Sequence, residues 1–243
     1  MTTIKKQSGA RHFSYGRLVP VLVLVVGLVV FFALGLERYL SFDTLREHRT
    51  TLRAWVETSE VRAALLFMAI YAMVVAFSVP GATVLSITGG FLFGTVWGAV
   101  CNVISATLGA TVLFLIAKTA FGDTLRTRAG PWLQNMEAGF RDNALSYLLV
   151  LRLVPLFPFF MVNLVPALLG VPLSTYVLGT FVGIIPGALV YATVGAGLGS
   201  IFDAGGEFSA SGILTPQVLL SLLGLAVLAM LPVVYKKLKA RAH

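Results

Sequence analysis

The sequence predicts an all-α polytopic membrane protein. Its expected architecture is an inverted repeat of two re-entrant helical hairpins, each followed by a full transmembrane helix. N- and C-terminal transmembrane helices and interfacial amphipathic helices complete it. Three observations predict this. Residues 63–117 and 143–202 form two apolar blocks, the first without any Asp, Glu, Lys or Arg and the second with Arg152 alone. Proline breaks each block before its midpoint, at Pro80 and at Pro155 and Pro158. Basic residues cluster in the segments that this topology places on one side of the membrane.

Composition narrows the class. The chain is 58% hydrophobic with mean hydropathy +0.91, and apolar stretches beyond about 18 residues read as membrane spans. The net charge of +8 sits beside membrane segments, where it sets topology and attracts anionic lipid rather than nucleic acid. Cys101 is the single cysteine, so no intrachain disulfide forms, and its apolar context suits a small packing residue. His12, His48 and His243 have no metal-ligand spacing. With no nucleophile triad, P-loop or dinucleotide fingerprint, an enzyme is the weakest expectation, and no cofactor or metal is expected.

Residues 1–17 form a basic N-terminus, followed by a transmembrane helix over 18–36. Ala33-Leu34-Gly35 could pass for a cleavage site, but the apolar stretch exceeds the roughly 7–15 residues of a signal peptide core, which favours an uncleaved helix. In 37–62, Phe42, Leu45, Leu52, Trp55 and Val56 recur at helical spacing opposite Arg46, Glu47, Arg49 and Arg53. That pattern fits an outer helix lying in the membrane interface, or equally a small amphipathic helix capping the bundle.

The first block would run about 80 Å as one helix at 1.5 Å per residue, against a hydrocarbon core of about 30 Å. Hairpin 1 is therefore expected at about 63–97, with its tip near Pro80-Gly81, and a full helix at about 98–121. Lys118 at its end is expected to snorkel to the interface. A cytoplasmic amphipathic segment, 122–142, follows. Hairpin 2 is expected at about 143–171 and its full helix at about 172–199. An outer loop, 200–215, a transmembrane helix, 216–235, and a basic tail, 236–243, end the chain.

Charge tests this arrangement. With the N-terminus cytoplasmic, the inner segments hold twelve Lys or Arg and the outer ones five, as the positive-inside rule asks. If each hairpin were instead a pair of full spans, the bias would be eight to nine. The two units are also weakly alike: Pro80 and Pro155 are offset by 75 residues, Gly94 and Gly170 by 76. Weak symmetry of broken segments points to a transport site between repeats.

The run 149–172, with its four prolines, Asn163 and Arg152, is the most informative stretch. Broken backbone survives at membrane depth only when buried in protein or lining a cavity, and a lone intramembrane cation marks a functional site by default. The expected substrate path comprises Arg152, Pro155, Pro158, Asn163, Pro80, Gly81 and Asn102. For Arg152 the competing role is a structural cation held by carbonyls, and for the asparagines it is interhelical hydrogen bonding. Gly90, Gly94 and Gly98, and Gly179, Gly183 and Gly187, are spaced four apart. With Gly170 they are expected to permit close helix packing.

The Pro80-Gly81 tip followed by GGFLFGTVWG at 89–98 resembles the first half of the VTT domain, the SNARE-associated, DedA-like membrane superfamily. Residues 151–187, LRLVPLFPFFMVNLVPALLGVPLSTYVLGTFVGIIPG, resemble its second half, especially the Tvp-type branch. The likeness covers roughly 61–200. It implies two re-entrant hairpins packed face to face and work on lipids: phospholipid scrambling in eukaryotic relatives, return of undecaprenyl phosphate in DedA-like ones. Arg152 falls on an arginine treated as functional in the DedA branch. Two departures stand out. Gly81-Ala82 replaces a carboxylate expected after the first hairpin's proline, and Pro158 replaces a second arginine. All ten acids lie outside the apolar blocks, which argues against proton coupling of the DedA kind.

The expected activity is movement of phospholipid or polyprenyl phosphate through a groove between the hairpins, with membrane lipids, chiefly anionic headgroups, as partners and no nucleic acid. An ion or small-solute transporter on the same scaffold, or a membrane-organisation or trafficking factor, are the alternatives. Short loops and compact size suggest a bacterial inner membrane with both termini cytoplasmic. The sequence specifies no oligomeric state.

Overall fold

The computed structural model describes residues 19–128, 143–153 and 159–203, with isolated helical positions at 227, 230, 234 and 238. Every regular element among them is helical. Pro155 and Pro158, residues 129–142 of the expected cytoplasmic segment 122–142, the expected loop from 204 and most of the expected last helix lie outside the described residues.

Helix α1, Val19–Ala33, buries none of its residues and presents Leu22, Val25, Val26 and Val29 outward. It meets the rest of the protein at Gly27, where an added Cβ would strike the Phe77 ring. A short 3-10 turn, Leu36–Tyr39, leads into α2, Phe42–Glu47. Ser41 caps α2 by accepting from the Thr44 amide at 3.2 Å, which satisfies one of the helix's free donors. Helix α3, Arg49–Thr58, follows. Buried Leu45, with Phe42 and Leu52, packs on Ile87, Phe91 and Leu198, and the Arg53 guanidinium lies 4.6 Å from the Phe91 ring centre. These are the contacts of a helix pair capping the bundle.

Helix α4, Glu60–Ala76, turns Ala63, Phe67, Tyr71, Val74 and Val75 inward. Val61, Leu65, Ile70 and Met73 are exposed on its other side. Apolar residues all round a helix are what burial in protein on one face and lipid on the other requires. The helix ends in a Schellman motif. The Val79 amide donates to the Val74 carbonyl, and that of Ser78, at φ 53°, to the Val75 carbonyl. Pro80 and Gly81 complete the turn. Helix α5, Ala82–Arg128, then runs back along α4, placing Ser86 beside Tyr71 and Phe93 beside Phe67.

Gly94 breaks α5 with φ 77° and ψ 179°, a combination essentially confined to glycine. The chain reverses there, and Gly98 packs on Gly89 and Gly90. Pro80-Gly81 thus joins the two arms 60–76 and 82–93, and Gly94 launches the long arm 95–128.

The second unit repeats the device. Helix α6 is Asn143–Leu153, α7 is Phe159–Leu168, and α8 is Leu173–Asp203. Helix α7 ends in a Schellman motif: the Val171 amide donates to the Pro166 carbonyl and that of Gly170, at φ 73°, to the Ala167 carbonyl. Gly94 and Gly170, paired by their sequence offset, therefore both take left-handed φ just before a long helix. Two stretches, Ala82–Ala120 and Leu173–Leu198, are long and apolar enough to cross a membrane, although the first is not straight.

Gly90 lets α8 approach to backbone contact at Ala192, and Gly195 meets the Ile87 carbonyl. Gly179 admits Leu148 and Gly183 admits Arg152. For two glycines expected to pack helices the described residues show no close neighbour: Gly94 is a turn residue, and neither it nor Gly187 has an atom of the described residues within 4 Å of an added Cβ. Gly170 is exposed and ends α7. Spacing of four places residues on one helical face, but a break at Gly94 removes the helix that the spacing presumes.

Candidate functional site

Two clusters of polar groups lie within the apolar blocks. The first lies inside the first unit. Asn102, 1% exposed, donates from Nδ2 to the Ser86 carbonyl at 2.8 Å, while its Oδ1 has no partner among the described residues. The Ser86 hydroxyl donates to the Ala82 carbonyl at 2.9 Å. Tyr71 is therefore the donor in its 2.6 Å bond to Ser86, because a serine hydroxyl has a single proton. This cluster ties the arms around Gly94 to α4.

The second cluster joins the two units. Gly179 and Gly183 bring α8 close to α6 at Leu148 and Arg152. Arg152 Nη2 donates to the Tyr176 hydroxyl at 3.0 Å and to Thr180 Oγ1 at 2.9 Å. The Tyr176 oxygen also lies 3.2 Å from Asn163 Oδ1 and 3.4 Å from the Ala110 carbonyl, two acceptors for its one proton. Asn163 and Thr180 are fully buried. The Tyr176 ring is stacked on Phe114, centroids 4.1 Å apart.

Two donors of this cluster, Arg152 Nε and Asn163 Nδ2, are buried without a partner among the described residues. Unpaired buried donors cost about 1–3 kcal/mol each. No carboxylate occurs in 143–202, so the sequence around the guanidinium supplies no counter-charge.

Lys118 does not simply snorkel outward. Its ammonium donates to the Val171 carbonyl at 3.4 Å and lies 5.5 Å from the Phe114 ring centre, beside the end of α7, where a cation complements exposed carbonyls.

Of the expected path residues, the structure joins Arg152 and Asn163 through Tyr176. Asn102 sits in the separate first cluster. Gly81 lies against Leu40, and Pro80 is exposed. Sequence reasoning missed Tyr176, Thr180 and Ser86. The signal for the first two was available: a tyrosine and a threonine four apart share a helix face with Gly179 and Gly183. Among the described residues, no group of three His, Cys, Asp or Glu is placed to hold a metal.

Fold and site define an all-helical protein with a paired-helix repeat and a guanidinium held inside an apolar bundle. Residues 79–197 match the family model of the VTT domain, and the chain belongs to the VTT-domain family. It is similar to the Transmembrane protein 41 homolog of Dictyostelium discoideum, 35% identical over 182 residues, covering 71% of this chain and 51% of the relative. It is also similar to Transmembrane protein 41B of Xenopus tropicalis, 28% identical over 206 residues (83% and 72% covered). The human protein of that name is likewise 28% identical over 206 residues (83% and 68%). The chain thus spans about half the length of the Dictyostelium relative. No solved structure matches it. The apolar helices and these relatives make it an integral membrane protein.

Proposed function

We propose that the protein moves lipids between the leaflets of a membrane. The two helix–turn–helix units act as re-entrant hairpins, and a headgroup passes between them while its acyl chains stay in the bilayer. Arg152 attracts the phosphate, since a guanidinium binds phosphate oxygens in a fork. One observation carries the reading: Arg152 Nε and Asn163 Nδ2 are buried donors with no acceptor among the described residues, within an apolar block that contains no acid. A phosphate supplies acceptors only, and a negative charge. With Ala82 where a carboxylate was expected, transport runs down the lipid gradient without proton coupling. Both termini lie in the cytoplasm, in a bacterial inner membrane.

The test is a fluorescent-lipid flip assay in proteoliposomes. Lipid movement above empty vesicles is expected, with a large loss in Arg152→Ala. A folded, inserted protein that moves no lipid rules the reading out. The topology has its own test. In a Cys101→Ser background, Arg128→Cys should label only from the cytoplasmic side, and labelling from outside removes the inverted-hairpin arrangement.

A second reading rests on the bonds Arg152 already makes. Both join α6 to α8, as a structural strut would. An Arg152→Ala protein that folds and transports like the parent removes the phosphate role. One that loses transport together with thermal stability makes the strut sufficient.

A further inference from the structure

We propose that Lys118 is a positioning residue for the Arg152 site, acting through the turn between α7 and α8 and through the Phe114–Tyr176 stack. The inference rests on the lipid-moving reading and deepens it. Lys118 touches no substrate; it fixes where Tyr176 holds the guanidinium.

Lys118 belongs to α5, in the first unit, yet its contacts lead into the second. Its ammonium donates to the Val171 carbonyl at 3.4 Å. It also lies 5.5 Å from the ring centre of Phe114, four residues earlier and so on the same helix face. Phe114 in turn stacks on Tyr176, centroids 4.1 Å apart. The half-buried lysine thus reaches the second unit at two points: the turn before α8 and, through a ring, the first turn of α8.

The turn can transmit a displacement. Only residues 169–172 separate α7 from α8. The Leu169 amide is bonded back to the Val165 carbonyl and that of Val171 to Pro166, while the Tyr176 amide is bonded to the Pro172 carbonyl, next to Val171. Leu169 and Val171 are buried, and close-packed segments pass on strain rather than absorb it. Asn163 precedes the turn on α7, and Tyr176 and Thr180 follow it on α8. Three side chains of the second cluster therefore hang from the segment that Lys118 grips.

Placement matters because the contacts at Arg152 are directional. Its Nη2 serves two hydroxyls, at 3.0 and 2.9 Å, and the Tyr176 oxygen is also 3.2 Å from Asn163 Oδ1. Hydrogen bonds weaken steeply away from good geometry. A cation suits the grip on two counts. It complements the carbonyl end of α7, and aromatic rings attract cations within about 6 Å of their centres. Glutamine has neither the charge nor the reach, whereas arginine has both.

The experiment uses the full chain. Movement of fluorescent phosphatidylglycerol is measured in phosphatidylcholine proteoliposomes over a range of phosphatidylglycerol fractions, giving a maximal rate and a half-saturating fraction. Hydrogen exchange over 169–177 is measured in nanodiscs of phosphatidylcholine alone. Lys118→Gln should raise the half-saturating fraction about two- to fivefold, the scale of one exposed cation–ring contact, and should speed exchange over 169–177. Lys118→Arg should restore both. In an Arg152→Gln background, Lys118→Gln should shift the half-saturating fraction no further, because the residue it positions is gone.

Unchanged exchange over 169–177 in a folded Lys118→Gln protein overturns the proposal. So does a lower maximal rate and unfolding temperature with the half-saturating fraction unchanged, which leaves Lys118 a structural clamp. An equal loss with and without Arg152 also overturns it, since Lys118 then attracts the lipid by itself. A parent that moves no lipid ends the translocation reading, and exchange over 169–177 then decides by itself whether Lys118 holds the turn.

Discussion

The ring of Tyr176 lies on that of Phe114, centroids 4.1 Å apart and planes 21° from parallel, and this contact locks the long helix of the second unit onto that of the first. Such pairs contribute about 0.5–1.5 kcal/mol beyond their buried area. The same tyrosine holds Arg152 through its hydroxyl, so packing between units and placement of the cation depend on one side chain.

Removing only that hydroxyl separates the two roles. Tyr176→Phe should keep the stack but leave Asn163 Oδ1 without its partner and Arg152 held by Thr180 alone. A loss of about 1–3 kcal/mol is expected from the orphaned buried groups. It would appear as a lower unfolding temperature in detergent, together with slower lipid movement. Unchanged stability would mean that water replaces the hydroxyl.

The glycines of α8 provide a matched pair. A Cβ on Gly183 would lie 2.8 Å from Arg152 Cβ, whereas one on Gly187 meets nothing within 4 Å among the described residues. Gly183→Ala should push α6 away and reduce lipid movement at least as much as a change at Arg152. Gly187→Ala should transport normally and gain up to about 1 kcal/mol from helix propensity. Equal effects at both positions would refute the close approach.

Gly94 is the residue least able to accept a side chain. With φ 77° and ψ 179°, Gly94→Ala should cost about 1–3 kcal/mol in backbone strain, although no neighbour crowds it. Loss of expression or a lower unfolding temperature would register it. A neutral Gly94→Ala would mean that the reversal is placed elsewhere.

Asn102 allows function to be told from structure. It makes one hydrogen bond and leaves Oδ1 unpaired. An apolar replacement removes that unpaired acceptor and also the donor to the Ser86 carbonyl, two effects of opposite sign and each about 1–3 kcal/mol. Asn102→Leu should therefore leave stability within about 1 kcal/mol. Reduced lipid movement at that stability would place Asn102 on the path, and unchanged movement would leave it a tie between helices.

Much of the architecture was legible because it is local. Charge-free runs, the proline-glycine turn at Pro80-Gly81 and the matched offset of Gly94 and Gly170 are properties of neighbouring residues. The structure bears out that pairing in the backbone, since both glycines take left-handed φ before a long helix. The packing glycines were less legible. Spacing of four singled out Gly90, Gly98, Gly179 and Gly183, where an added Cβ would meet another segment, and also Gly94 and Gly187, where it would meet nothing among the described residues. Periodicity reports which face a residue occupies, not whether another helix lies there. The contact of Lys118 was not legible for a related reason: its partner, Val171, is 53 residues away.

The sequence alone determined an all-helical chain in two broken apolar units, with one arginine in an apolar block that contains no acid, because hydrophobicity, proline and glycine act over a few residues. The tertiary structure decided what that arginine touches. Tyr176 and Thr180 lie 24 and 28 residues from Arg152, and only the packing of α8 on α6, through Gly179 and Gly183, brings their hydroxyls within hydrogen-bonding distance. It also decided that a second cation, Lys118, joins the same aromatic pair, since stacking between helices from different units cannot be read from either helix by itself.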